Sequence, residues 1–525
     1  MNDPKKLNNS TSSINSLVSS QLSINSSNSN NTANNVQLNQ ITPIYSNIEV
    51  PILNTSTKSL PISNSNNNNS NDITSPLTDE QNWQRFSSKR KKLFVFIAAI
   101  SSFLSPMSSI ATLPAVSFIA SSFNTTGTVI NLSNGLYCIM MAVSPCIWSP
   151  ISDLYGRRFV FLICIFFYSI SSILVAVSQN LTTFFVFRAT TALFGTAFFS
   201  VGAQIIADVY PPTQRGTGMG WTLSGSQVGP AIGPVIGGLI ITYTSWRVIF
   251  YMLTALGLIV FTLSFFYLEE TSRQTKMQEL ISNLNSDRKF IWVWFNPFRI
   301  LFSLKYPNLL FAGLSSSTLS FSMYCLLTPI RYIVEPIFNL HTPIYGALFY
   351  LAPGLGYFLG SFYGGKYADF MLKLYIKKKN KMVPEDRLRS VIIPFGLVMP
   401  STMIIYGWAL DFEKGGMALP IIMMFLNGFA QTCIFPSINT YCVDSMSKYT
   451  GGDGIGGNYC IRFIFSAVGT SITLPSINNI GVGWTCTMSA FVLLVGFLFI
   501  YLNILFGERL RIKYLKANGF DVVDE

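Results

Sequence analysis

Charge is scarce in this chain. Asp, Glu, Lys and Arg make up 11% of its 525 residues, well under the roughly 25% of ordinary soluble domains. His341 is the sole histidine and the eight cysteines include no CxxC pair, so no conventional metal site is expected. The cysteines fall within or beside apolar runs, where isolated thiols serve as small packing groups. No GxxxxGK[ST] phosphate loop occurs, which argues against an ATP-driven pump. No cluster of His, Cys and Asp offers the reactive constellation of a membrane enzyme, and no cofactor is implied. No apolar stretch precedes residue 93, so the first hydrophobic span itself would direct insertion.

What is abundant is apolar. Half the residues are hydrophobic, and they gather in runs such as FVFLICIFFYSISSILVAV (159–177) and MSAFVLLVGFLFIYLNILF (488–506). Each run approaches the ~20 residues that cross a bilayer as a helix. Twelve spans are expected, at 93–116, 129–150, 159–177, 183–206, 219–242, 248–268, 308–333, 343–365, 390–410, 417–440, 459–477 and 484–506. Those near 129, 219 and 343 are interrupted by Gly, Pro, Ser and Asn.

Positive residues flanking membrane helices tend to stay cytoplasmic. With a cytoplasmic amino terminus, the inside segments hold Arg85, Lys89 to Lys92, Arg157, Arg158, Arg215, the 273–305 loop, the cluster from Lys366 to Arg389, and the tail from Arg509 to Lys516. The outside loops keep little beyond Arg247 and Lys414. The net charge of +12 is then topogenic. Nucleic acid would need those charges on one folded face, so none is expected as a partner.

The expected fold is an all-α integral membrane protein of six plus six helices, with both termini cytoplasmic. Residues 1–88 form an Asn/Ser-rich tail that cannot bury a core, as in SINSSNSNNTANN. Residues 89–268 form the first bundle, 269–307 a cytoplasmic connection, 308–506 the second bundle and 507–525 a cytoplasmic tail. Within the connection, Trp292, Trp294 and Phe295 beside Arg288 and Lys289 suggest an interfacial helix. Asp153 after the second span and Asp369 after the eighth occupy equivalent points, as a parallel duplication predicts.

Two motifs carry chemistry. SDLYGRR (152–158) sets an acid, a glycine and two arginines between spans two and three. It reads either as a latch, in which Asp accepts bonds from Arg and from helix N-terminal amides, or as a plain topogenic loop. The second motif puts Gly225, Gly229, Gly233 and Gly237 along one side of span five, with Pro230 and Pro234 beside them. Such a row lets another backbone approach closely, and the prolines permit a bend. The row is expected to form a close seam that slides between the two halves.

Together these residues resemble the major facilitator superfamily, and within it the fungal twelve-span drug:proton antiporters. Asp153, Gly156, Arg157 and Arg158 match the loop between spans two and three; Ser149 replaces its leading glycine and Leu154 one of its cations. Gly216, Gly225, Gly229, Pro230 and Gly233 match the antiporter pattern of span five in register, with Pro234 in place of the final glycine. Arg188 resembles the superfamily's buried arginine in span four. PEDRL (384–388), NTYCVD (439–444) and NYCIRFIF (458–465) resemble the subgroup that contains quinidine-resistance transporters and the spore-wall dityrosine exporter.

The resemblance implies a monomeric exporter of drugs, polyamines or amino-acid derivatives, exchanging a small organic substrate for protons at the plasma membrane, or at a prospore or vacuolar membrane. Alternatives are an uncoupled facilitator, a dedicated dityrosine-precursor exporter and a transporter-like sensor. An arginine in the bilayer costs at least about 2.5 kcal/mol, so Arg188 and Arg462 should face the bundle interior, in a structural, coupling or substrate-binding role. No acid sits at the middle of a clear span. A coupling proton would therefore ride on Asp153, Asp208 or Asp444, or act through Arg188 and water. Polar candidates for the substrate lining are Gln204, Gln227, Tyr324, Asn427 and Gln431, each also able to serve a helix–helix hydrogen bond.

Overall fold

A computed structural model describes residues 83–272, 275, 277, 278, 296–339, 343–450 and 453–517, all in one compact unit. The Asn/Ser-rich tail up to residue 82, the Trp292–Phe295 segment and His341 lie outside the described residues. Among the described residues all regular structure is helical. In hydrocarbon a helix satisfies its own backbone polar groups, which an open strand cannot do.

The first half comprises α1 (Ser88–Ile110), α2 (Gly127–Tyr155), α3 (Arg157–Val177), α4 (Leu181–Val209), α5 (Pro212–Tyr243) and α6 (Arg247–Tyr267). The second comprises α7 (Pro307–Ile337), α8 (Leu351–Lys379), α9 (Pro384–Asp411), α10 (Ala418–Thr450), and α11 and α12, which form one 65-residue segment, Asp453–Ala517, broken at Gly481. Among the described residues, ten segments are long and apolar enough to cross a membrane; α11 and α12 count there as one, and α8 is too rich in Gly and Lys to qualify. Gly156 (φ 101) and Gly481 (φ 83) supply left-handed backbone at the breaks between α2 and α3 and between α11 and α12.

Several boundaries differ from the sequence expectation. The first span ends at Ile110 and is followed by a separate short helix, Val116–Ser122. The basic segment expected as a loop from Lys366 is helical to Lys379, where three lysines in the last turn complement the helix dipole and Asn380 (φ 53) makes a left-handed cap. The tail expected from 507 continues as helix to Ala517. The connection contributes a short helix, Arg299–Ser303, against α11 and α2.

Polarity is inverted relative to a soluble protein. Phe166, Phe167, Phe265, Phe266, Phe491 and Leu498 are exposed on the outer surface, while the serines of α7 from Ser315 to Ser317 are buried and bonded to carbonyls. Within the first half α5 packs on α1, and within the second α8 packs on α10 and α7 on the α11–α12 segment. The halves meet where α2 packs on α11 and α5 on α8. A shift of six helices exchanges these two contacts, as a duplicated arrangement requires. One buried cluster joins the halves, bringing Tyr137, Met141, Phe199 and Met219 against Val443, Tyr459 and Phe463.

The glycine row of α5 does not lie between the halves, as the sequence suggested. Gly225 meets the Ala99 carbonyl, Gly229 has Met107 N and Phe103 O within 3.0 Å of where a Cβ would stand, Gly233 has Ala111 N at 3.2 Å, and Gly237 meets the Ala111 carbonyl. Ala99, Phe103 and Met107 belong to α1 and Ala111 is its C-cap, all in the same half. The close approaches between halves fall on another face of α5: a Cβ on Gly220 would stand 2.6 Å from Ser361 O and 3.2 Å from the Gly365 Cα of α8, and one on Gly354 of α8 would meet the Ala231 side chain. A glycine row shows that some backbone comes close, and its partner is settled by how the helices pack.

Candidate functional site

Two charge clusters lie at the end of the bundle where α2 ends and α3 and α5 begin, here the basic end. In the first half, Gly156 turns the chain so that Arg157 opens α3. Arg157 pairs with Asp153 through Nη1 and donates to Asp208 Oδ2 at 3.2 Å and Ser152 Oγ at 3.0 Å. Arg158 instead donates to the Phe265 carbonyl at 2.9 Å. The α3 N-terminus is occupied by Glu270, which accepts from the Arg157 and Arg158 amides at 2.9 and 3.1 Å. Ser149 accepts from Gln204 Nε2 at 2.8 Å, tying α2 to α4.

The cation missing at Leu154 is supplied from elsewhere. Arg299, on the short helix of the connection, reaches Asp153 Oδ2 at 3.3 Å and donates to Asp453 Oδ1 at 2.8 Å, joining α2 to the start of α11. Neither Glu270 nor Arg299 was singled out in the sequence: each bonds to a helix more than a hundred residues away, and no periodic signal marks it.

The second half repeats the arrangement. Asp369 of α8 accepts from the Gly216 and Thr217 amides at 2.9 and 2.7 Å and from Thr217 Oγ1 at 2.6 Å, capping α5 of the opposite half. Arg387, fully buried, donates to Asp369 at 2.9 Å and Asp444 at 3.1 Å. Arg215 donates to the other oxygen of Asp444 at 2.6 Å. Asp153, Arg157 and Asp208 on α2, α3 and α4 thus correspond to Asp369, Arg387 and Asp444 on α8, α9 and α10. Nearby, Glu385 pairs with Arg511 at 3.1 Å.

Above these clusters, a central cavity is lined by Pro106, Met141, Gln227, Tyr324 and Arg462, among others, drawn from both halves. Its volume of about 30 Å³ holds little more than water, so this conformation is closed to a drug-sized molecule. A larger concavity, lined by Leu314, Phe465, Trp484 and Phe491, opens on the apolar outer surface, away from every cluster of charge.

Arg188 is buried beside the Tyr137 ring, at 5.2 Å, and its Nη2 donates to Asn134 Oδ1 at 2.6 Å, Thr112 Oγ1 at 2.8 Å and the Ser109 carbonyl at 3.2 Å. Of the remaining polar candidates, Gln227 and Tyr324 face the cavity, and Tyr324 Oη lies 3.7 Å from Cys138 Sγ across the halves. Asn427 donates to Thr402 Oγ1 at 2.9 Å and Gln431 to the Leu319 carbonyl at 3.1 Å, both helix–helix bonds within the second half. Pro230 lines the cavity, whereas Pro234 is buried in α5 outside its lining.

Comparison with known proteins agrees with this architecture. The chain is 24% identical to the MFS antiporter QDR3 of Candida albicans, over 84% of this chain and 80% of that one. It is 27% identical to dityrosine transporter 1 of Saccharomyces cerevisiae, over 79% and 80% of the two chains. The crystal structure of the human organic anion transporter MFSD10 superposes with a TM-score of 0.60 at 15% identity, covering 78% of this chain and 99% of that one, a likeness of fold. Residues 98–470 match the Major Facilitator Superfamily, and the chain belongs to that family of membrane transporters.

Proposed function

We propose that this transporter exports small organic molecules by alternating access, in exchange for protons, from the plasma membrane with its basic end cytoplasmic. The observation that carries the reading is the duplicated latch. Asp369 holds the start of α5 directly, and Asp153 holds the start of α11 through Arg299, so both cross-half contacts close at one end over a central cavity. Breaking them together would open that end, and two packed halves move as rigid bodies more readily than they deform. Export is favoured by the antiporter glycine pattern of α5 and by relatives named as antiporters.

Coupling has a physical route through the latch. Asp208 and Asp444 each face arginine, and a proton on either carboxylate removes the charge that holds its partner. Uncoupled facilitation is the competing reading, favoured because no Asp or Glu lines the cavity among the described residues. Purified protein in liposomes, assayed with quinidine, spermidine and dityrosine with and without an imposed pH gradient, separates the two. Flux that follows the gradient for a transported compound supports exchange, and flux of every transported compound that ignores it establishes facilitation.

A further inference from the structure

The central cavity has donors to spare and no acidic acceptor in its lining. Arg462 of α11 sits at the junction of the halves, with its Nε donating to Ser320 Oγ at 2.9 Å. Its guanidinium lies 4.0 Å from the Phe435 ring centroid, with the Tyr459 and Phe463 rings at 5.7 and 5.6 Å. Ring faces stabilise the cation, but they accept no bond in the guanidinium plane. Arg462 Nη1 is buried with no partner among the described residues, and so is Gln227 Nε2 of α5. Both side chains line the cavity, and none of its lining residues is acidic. A buried donor left unpaired is costly, and an unpaired charge more so.

Arg188 does not relieve this deficit, because it adds a second buried positive charge to the core and its own acceptors are neutral oxygens. The interior potential is therefore positive, which favours anions and disfavours cations. The rest of the lining, including Met141, Phe199, Met323 and Phe463, suits an apolar or aromatic body.

We infer that the central cavity, once widened beyond this closed conformation, is a site for organic anions, in which a substrate carboxylate accepts from Arg462 Nη1 and Gln227 Nε2 while its apolar body packs against Met141, Phe199, Met323 and Phe463. The inference rests on reading this cavity as the place where transported substrate binds. It also accounts for the lack of an acidic group there. A negative charge leaving a cell is driven outward by the inside-negative membrane potential, so an anion needs no carboxylate in the cavity to repel or exchange with it.

The test uses the purified full chain and three probes that share one ring system: 2-naphthoate, neutral 2-naphthamide and cationic 2-naphthylmethylammonium. Binding is read as stabilisation against thermal unfolding, and transport as flux into liposomes. The expected result is binding of naphthoate and neither of the others. R462Q should weaken naphthoate roughly tenfold to a hundredfold, the loss of one charged hydrogen bond, and R462K should fall between. Unchanged size-exclusion profiles and unliganded melting would show that the variants remain folded.

Equal or tighter binding of the amide or ammonium, undiminished naphthoate binding by folded R462Q and R462K, or no binding of any probe would each overturn the inference. Transport of the ammonium with a pH gradient would do so while leaving the exchange reading intact. Naphthoate binding with no flux under any gradient would instead spare the site and remove the transporter reading.

Discussion

Asp369 of α8 caps α5 of the opposite half, accepting from the Gly216 amide at 2.9 Å with its carboxylate also paired to the buried Arg387. A single side chain thus ties the two halves together at the basic end. The N-terminal amides of α5 carry partial positive charge, and burial magnifies their attraction for the carboxylate.

Removing that carboxylate takes one of two acidic partners from Arg387, which is 0% exposed, and leaves the Gly216 and Thr217 amides without their acceptor. Asp369→Ala is expected to cost about 3–5 kcal/mol and to abolish transport. Arg299→Gln should be milder, because Arg299 is 36% exposed and its pairs are screened by water. Thermal unfolding and flux, measured on both variants, check the order; an Arg299 variant as damaged as the Asp369 one would contradict it.

Cys146 of α2 and Cys460 of α11 neighbour one another where the two halves pack. Oxidative cross-linking is expected to join them, stop transport, and be reversed by reductant. A gel-shift of a protein carrying only these two cysteines, run beside a flux assay, reads both effects. Cross-linked protein that still transports would show that α2 and α11 need not separate.

Glycines of α5 that face α1 should differ from the glycines through which α5 and α8 meet. Gly229→Leu would drive a side chain into the α1 backbone and is expected to lower stability by at least about 1–3 kcal/mol, with loss of folded protein. Gly365→Ala meets Gly216 O at 2.5 Å and Thr217 Cα at 3.1 Å, so it should wedge the halves apart at the basic end while each half remains folded. Melting curves and thiol accessibility at the basic end distinguish the two outcomes.

These contrasts also mark what could be read without coordinates. Span positions were legible because the bilayer imposes a length and an apolar composition on each helix. Asp153 and Asp369 were legible as a repeat because duplication preserves their place in the chain. The partner of Gly225 and Gly229 was not, since a helix face announces a close contact without naming the helix that fills it. Glu270 and Arg299 were illegible for a related reason: they act through long-range bonds from the chain between the two bundles, where no period exists to reveal them. The charge between Lys366 and Lys379 suggests a loop in the sequence, whereas lysines in a last turn complement the helix dipole and α8 runs on to Lys379.

The central claim is that the two latches close one end of the protein and release together. Spin labels at Gln214 of α5 and Lys373 of α8, both exposed and on opposite halves, report that opening in lipid after the native cysteines are replaced. The intact latch should give one short distance distribution. The double variant D153N/D369N should add a second, longer population. A single distribution unchanged by the double variant would contradict the account.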